Sequence, residues 1–100
     1  NTAVGTNCLT ANIDGENNTA VGADSLDVNT TASNNTAMGR GASGAITTGN
    51  SNVAVGQNAG DTLTTGSYNV CIGQATDVNA TDSEGQIVIG RNITSGANQL

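Results

Sequence analysis

The chain repeats one pattern of polar and apolar positions six times, with a period of 17 residues. Each copy opens with an amide residue, then places β-branched or long apolar residues at its second and fourth positions around a small residue, and reaches glycine at the fifth. This alternation predicts a short strand that ends at the glycine. A fixed period of this length is typical of solenoids, in which each unit touches only its neighbours. The sequence therefore predicts a single repeat array over residues 1–100.

We number the copies as rungs 1 to 6, starting at residues 1, 18, 35, 52, 69 and 86, and the positions within a copy as columns 1 to 17. The amides of column 1 predict a ladder of hydrogen bonds between rungs, with turn capping as the alternative. The glycines of column 5 predict a positive φ or a corner too tight for a side chain. The residues that define the repeat are Asn1, Val4, Gly5, Asn18, Val21, Gly22, Asn35, Met38, Gly39, Asn52, Val55, Gly56, Asn69, Ile72, Gly73, Ile89 and Gly90.

Two further columns contain small residues. Column 3, which runs from Ala3 to Val88, is interpreted as a face that approaches another chain. Column 8, which runs from Cys8 to Ile93, predicts a second short strand, and Ile46 and Leu63 of column 12 are predicted to point inward. Because a coil of 17 residues is short for a filled interior, several chains are expected to wrap together. The predicted fold is an all-β parallel solenoid or β-prism, homotrimeric and intertwined.

The composition narrows the possible functions. The chain has no Phe, Trp, Pro, His or Lys, and its net charge is −6. Two arginines cannot form a basic patch for nucleic acid, and no apolar run is long enough to cross a membrane. Without His or Lys, histidine-assisted nucleophiles, histidine metal ligation and Schiff-base chemistry are excluded. We expect no enzyme, no cofactor, no nucleic-acid partner and no membrane insertion; carboxylate-pair catalysis is the least favoured class.

Paired carboxylates are the one candidate for a metal site. Asp14 and Glu16 occupy the same columns as Asp82 and Glu84, and three chains would bring six carboxylates to each level, which suits Ca²⁺. A solvated corner whose charge deters aggregation is the favoured interpretation, because the two pairs lie four rungs apart.

Several single residues have an ordinary interpretation. Cys8 and Cys71 lie too many rungs apart for a disulfide, so each is expected to be a small buried residue. Arg40 is expected to pair with Asp24 at the surface, and Tyr68 to pack rather than to bind carbohydrate. Adjacent threonines in columns 13 and 14 would point to opposite faces, which argues against ice binding. Sequons for N-glycosylation, which arise readily in an Asn- and Thr-rich chain, occur at Asn17, Asn29, Asn34, Asn79 and Asn92.

The signature Asn-Thr-Ala-Val-Gly, together with Thr64 to Asn69 and Gln86 to Asn92, resembles repeats in viral tail fibres and surface fibres. The pentapeptide is also similar to the head repeat of trimeric autotransporter adhesins, although those repeats are usually shorter. The resemblance implies a homotrimeric parallel β-solenoid or β-prism shaft at a virion surface or outside the cell.

The sequence thus leads to the hypothesis of a structural, non-enzymatic shaft of a viral fibre. Such a shaft displays a receptor-binding tip, and flanking regions would contact a host receptor or glycan. A bacterial adhesin head and a secreted extracellular filament are the alternatives. The chain is interpreted as a fragment of a longer fibre, with Asn98 to Leu100 as the start of another strand.

Overall fold

The computed structural model describes residues 1–96, and they form one parallel sheet of six short strands. The strands are β1 (Thr2–Val4), β2 (Thr19–Val21), β3 (Thr36–Met38), β4 (Val53–Val55), β5 (Val70–Ile72) and β6 (Ile87–Ile89). They pair in chain order, and Thr2 lies beside Thr19, one repeat later. The predicted all-β parallel solenoid is confirmed, with one strand in each rung. The strand predicted from Asn98 onward lies outside the described residues.

The middle residue of each strand points into the coil. Ala20, Ala37, Ala54, Cys71 and Val88 are at most 1 % exposed. The interpretation of column 3 as a face towards another chain is therefore wrong, because it lines the chain's own interior. Small residues are required there because the opposite wall is close: a Cβ built on Gly60 would lie 3.4 Å from the Cβ of Ala54.

Larger residues from the turns fill the rest of the interior. Leu26, Ile46, Leu63 and Val78 are at most 1 % exposed and form one cluster with the residues of column 3. The inward direction predicted for Ile46 and Leu63 is confirmed. The accessible surface is 4728 Å², against about 5,200 Å² expected for a monomer of this mass. One chain therefore fills its own core.

Column 8 does not form the predicted second strand. Its residues lie in turns and irregular segments, and the neighbouring Asn7 and Leu9 have φ of 58° and 52°. Left-handed residues on both sides cannot continue a strand. On this side of the coil, the described residues form an isolated β-bridge between Asp77 and Thr94. The residues of column 8 are instead buried or half-buried in and beside the core.

Both predicted reasons for the glycines of column 5, a positive φ and a corner too tight for a side chain, are confirmed. Their φ values run from 120° to 156°, a region that side chains rarely adopt. A Cβ built on Gly22 would lie 2.6 Å from the carbonyl carbon of Gly39, directly above it in the stack. Any larger residue would therefore separate adjacent rungs.

The amides of column 1 connect each rung to the next. The Oδ1 atom of Asn52 accepts the backbone N–H of Asn69 at 2.9 Å, and its Nδ2 donates to the Gly66 carbonyl at 2.9 Å. The same two bonds recur from Asn1 to Asn69. The predicted ladder is confirmed, and the same amides also cap a turn. Among the described residues, no buried side-chain nitrogen or oxygen lacks a partner.

Candidate interaction surface

The outer side of the strands exposes large apolar side chains. Since column 3 points inward, columns 2 and 4 point outward, and Val4, Met38, Ile72, Ile87 and Ile89 are 37 % to 58 % exposed. We call this surface the strand face. It consists of Thr2, Val4, Thr19, Val21, Thr36, Met38, Val53, Val55, Val70, Ile72, Ile87 and Ile89. Sequence reasoning recognised these residues as a strand but missed that they remain exposed.

The strand face lies in a band without charge. Columns 17 and 1 to 5 contain no charged residue in any rung. The ten charged residues all lie in columns 6 to 16: Asp14, Glu16, Asp24, Asp27, Arg40, Asp61, Asp77, Asp82, Glu84 and Arg91. Charged residues are depleted in the centres of protein interfaces. The strand face is therefore a surface that another protein can cover without burying a charge, and the charge pattern by column is the sequence signal that could have found it.

Tyr68 lies at the edge of this band, two residues before β5. Its side chain is 67 % exposed, so the expectation that it packs in the fold is wrong. Its φ is 62°, a conformation that the other described rungs assign to Asn, Ser or Gly in the same column. A bulky residue in this region is uncommon and costs on the order of 1 kcal/mol. The folded chain gains little burial from Tyr68 in return.

The candidate calcium ligands do not form a cluster within this chain. Asp14, Glu16, Asp82 and Glu84 are all exposed. Among residues 1–96, no group of three or more Asp, Glu, Cys or His side chains is placed to hold a metal. The six-carboxylate hypothesis therefore depends entirely on neighbouring chains.

The arginines and their predicted partners make other contacts. The carboxylate of Asp24 accepts a hydrogen bond from Asn7 Nδ2 at 2.9 Å, rather than the predicted bond from Arg40. Arg91 Nε donates to Gln74 Oε1 on the rung below at 3.1 Å. These surface bonds connect adjacent rungs.

An open groove of about 490 Å³ crosses rung 3 on the turn side. Gly44 and Ala45 form its floor, and Asp27 and Asp61 lie on the adjoining rungs. Partial burial raises the pKa of Asp61, and the charges of Asp77 and Asp27 raise it further. The carboxylates of Asp24, Asp27 and Asp61 give the groove a negative charge.

Both cysteines are free thiols, as predicted, but Cys8 is only half-buried, so the burial expected of both is confirmed for Cys71 alone. Cys71 is buried, and burial together with the charge of Asp77 raises the pKa of its thiol to about 11. Cys8 Sγ donates to the carbonyl of Gly22 at 2.6 Å. Because the thiolate is the reactive form, the Cys71 side chain acts as a small core residue and not as a nucleophile.

The sequon asparagines differ in burial, and so do the two columns of threonines. Asn29 is fully buried, whereas Asn17, Asn34, Asn79 and Asn92 are exposed. The hydroxyl of Thr47 donates to the carbonyl of Thr64 at 3.3 Å, and the same bond recurs along column 13. The threonines of column 14 remain exposed, with one in each of rungs 2 to 4. The chain thus presents a single threonine row there rather than the paired row expected for ice binding.

None of the described residues belongs to a helix long and apolar enough to cross a membrane. Comparison with protein-family models, curated proteins and solved structures finds no match.

Proposed function

We propose that this chain is part of a structural, non-enzymatic fibre shaft that assembles from copies of itself through the strand face. The observation that carries the proposal is the uncharged apolar band that runs along every rung. The resemblance of the repeat to viral fibre repeats supports a location at a virion surface or outside the cell. A receptor-binding tip and contacts to a host receptor or glycan would come from flanking regions.

The repeat distance favours a second copy of the chain as the occupant of the strand face. Each copy has a net charge of −6, so copies repel each other through their charged columns. Copies can approach each other through the strand face, because it contains no charged residue. Copies also share the same repeat distance, so their rungs remain level along the full contact, which a partner without the repeat could not match.

Three copies are the proposed number. Rotation about an axis parallel to the stack keeps each rung level with the same rung of its neighbours and yields a closed assembly. Such an arrangement turns every strand face towards the common axis and leaves the charged columns outside. This proposal replaces column 3 by columns 2 and 4 as the contact between chains.

The size of the strand face predicts weak association for six rungs. Five steps of about 4.8 Å and three residues of about 3.3 Å give a flat area of about 240 Å². Stable interfaces bury about 800 Å² from each partner. Affinity should therefore rise steeply with the number of rungs, as a shaft built from a long array requires.

The test compares the effect of one charge in two places. Ile72→Asp introduces a charge into the strand face, whereas Thr65→Asp adds the same charge in column 14, where rungs 1 and 5 already have Asp. Sedimentation equilibrium from micromolar to millimolar protein should show the wild type and Thr65→Asp rising towards three times the chain mass of 9.8 kDa. Ile72→Asp should remain monomeric.

Two results would contradict the proposal: a wild type that stays monomeric at the highest concentration, or an Ile72→Asp variant that associates equally well. A mass that grows without a plateau would favour the secreted filament. A trimeric adhesin head shares the proposed assembly, and a coiled-coil stalk and membrane anchor beside this segment, rather than a chaperone domain, would favour it.

A further inference from the structure

The strand face changes along the stack. Columns 2 and 4 are Thr and Val in rungs 1 and 2, and Thr and Met in rung 3. In rungs 4, 5 and 6 they become Val and Val, Val and Ile, and Ile and Ile. The first half thus has one hydroxyl per strand on this face, and the second half has none. The strands β4, β5 and β6 are therefore the ones whose outward side chains are apolar at both positions.

We infer that copies of this chain associate first, and most tightly, through rungs 4 to 6, so that assembly has a direction along the stack. This inference rests on the proposed self-association and identifies which part of the face drives it. Thr2, Thr19 and Thr36 have hydroxyls that water solvates in the free chain. Covering them without a new partner costs free energy, so rungs 1 to 3 form the looser end.

Tyr68 supports the same assignment independently. It lies in the uncharged column 17 beside β5, within the stronger half, and is 67 % exposed. Tyrosine is enriched among the residues that dominate binding energy at protein interfaces. A contact with a neighbouring copy would account for a bulky side chain at a left-handed position that folding alone does not reward.

The experiment uses isosteric changes of equal number in the two halves. Val53→Thr with Val55→Thr adds two hydroxyls to β4, and Val4→Thr with Val21→Thr adds two to β1 and β2. Valine and threonine have the same shape, and these positions point away from the core, so far-UV circular dichroism should show both monomers folded. Sedimentation equilibrium then gives the association constant of each full-length variant.

We expect the β4 variant to associate at least about tenfold more weakly than the wild type, and the β1–β2 variant less than about threefold more weakly. Tyr68→Ser should also weaken association. Serine suits this position because Ser51 occupies the same column in rung 3. Amide hydrogen exchange of the associated wild type should show added protection at β4 to β6 before β1 to β3 as concentration rises.

Equal weakening by the two variants, or greater weakening by the β1–β2 variant, would overturn the inference while leaving self-association intact. Added protection that begins at β1 would overturn it as well. A wild type that never associates would instead refute the proposed function on which the inference rests, so the two failures are distinguishable.

Discussion

The two sides of each three-residue strand meet opposite requirements. The inner column contains Ala, Cys or Val and is sealed from solvent in rungs 2 to 6, whereas the outer columns contain Val, Ile, Met and Thr and stay partly exposed. In an ordinary half-buried strand the more hydrophobic side faces the core. In this coil the closeness of the opposite wall limits the size of inner residues. The larger apolar residues are left outside, where they are available for contact with another chain.

The inner side should therefore be sensitive to the loss of a single amide. Asn52→Ala removes the acceptor for the Asn69 N–H and the donor to the Gly66 carbonyl. Leaving both groups buried and unpaired should lower the free energy of unfolding by about 3 kcal/mol or more. Chemical denaturation of the monomer measures this change.

The matched control for the amide is Gln57→Ala, which removes an exposed amide in a column where rung 2 has Ala23. It should change the free energy of unfolding by less than about 0.5 kcal/mol. Similar effects from Asn52→Ala and Gln57→Ala would show that the ladder does not stabilise the stack.

The size limit of the inner column is the next test. Ala54→Leu places three more carbons in a site that is 1 % exposed and should cost about 2 to 3 kcal/mol through overpacking. Val55→Leu enlarges the neighbouring outward residue and should cost less than about 0.5 kcal/mol. Thermal unfolding of the two variants gives the difference. If both are tolerated equally, the interior is not limited by size.

The smallest effect is expected on the charged side of the coil. The pKa of Asp61 is raised in the folded chain above its ordinary value of 3.8, so the folded state binds more protons than the unfolded state. Stability therefore falls as pH rises from below 3.8 through the raised pKa, and it levels off above that pKa. Asp61→Asn should stabilise the protein at neutral pH by roughly a few tenths of a kcal/mol, since the group is largely solvated.

The pH dependence of the Asp61→Asn variant provides its own control. Below the ordinary pKa, where the carboxyl is protonated in both states, the wild type and the variant should unfold with the same free energy. A variant less stable than the wild type at neutral pH would mean that the charge of Asp61 helps the fold rather than opposing it.

The period predicted the architecture because stacking requires every unit to repeat. It predicted the register, the amide ladder and the glycine corner, since each depends on one residue type recurring in one column. The direction of the strand was harder to predict. Alternation separates Ala54 from Val53 and Val55 but does not say which side is inside, and hydrophobicity favours the wrong side. The turn after each strand was missed because left-handed conformations at Leu9 and Leu26 have no signature in those residues.

The strand face was missed for a different reason. Its exposure depends on the interior being complete with one chain, which the sequence alone did not indicate. The absence of charge from columns 17 and 1 to 5 was visible in the sequence, but it acquires meaning only when columns 2 and 4 are known to point outward.

The amide ladder repeats at a uniform spacing along the stack. Each of rungs 1 to 5 presents the next with the same Oδ1 acceptor, so the ladder continues in the same way whichever of these rungs precedes. Duplicating or deleting 17 residues of coding sequence would change the length of the stack by about 4.8 Å and leave the ladder bonds between the other rungs in place. An insertion of any other length would displace all later columns. Length in such a protein can therefore evolve in uniform steps, separately from the surfaces that it carries.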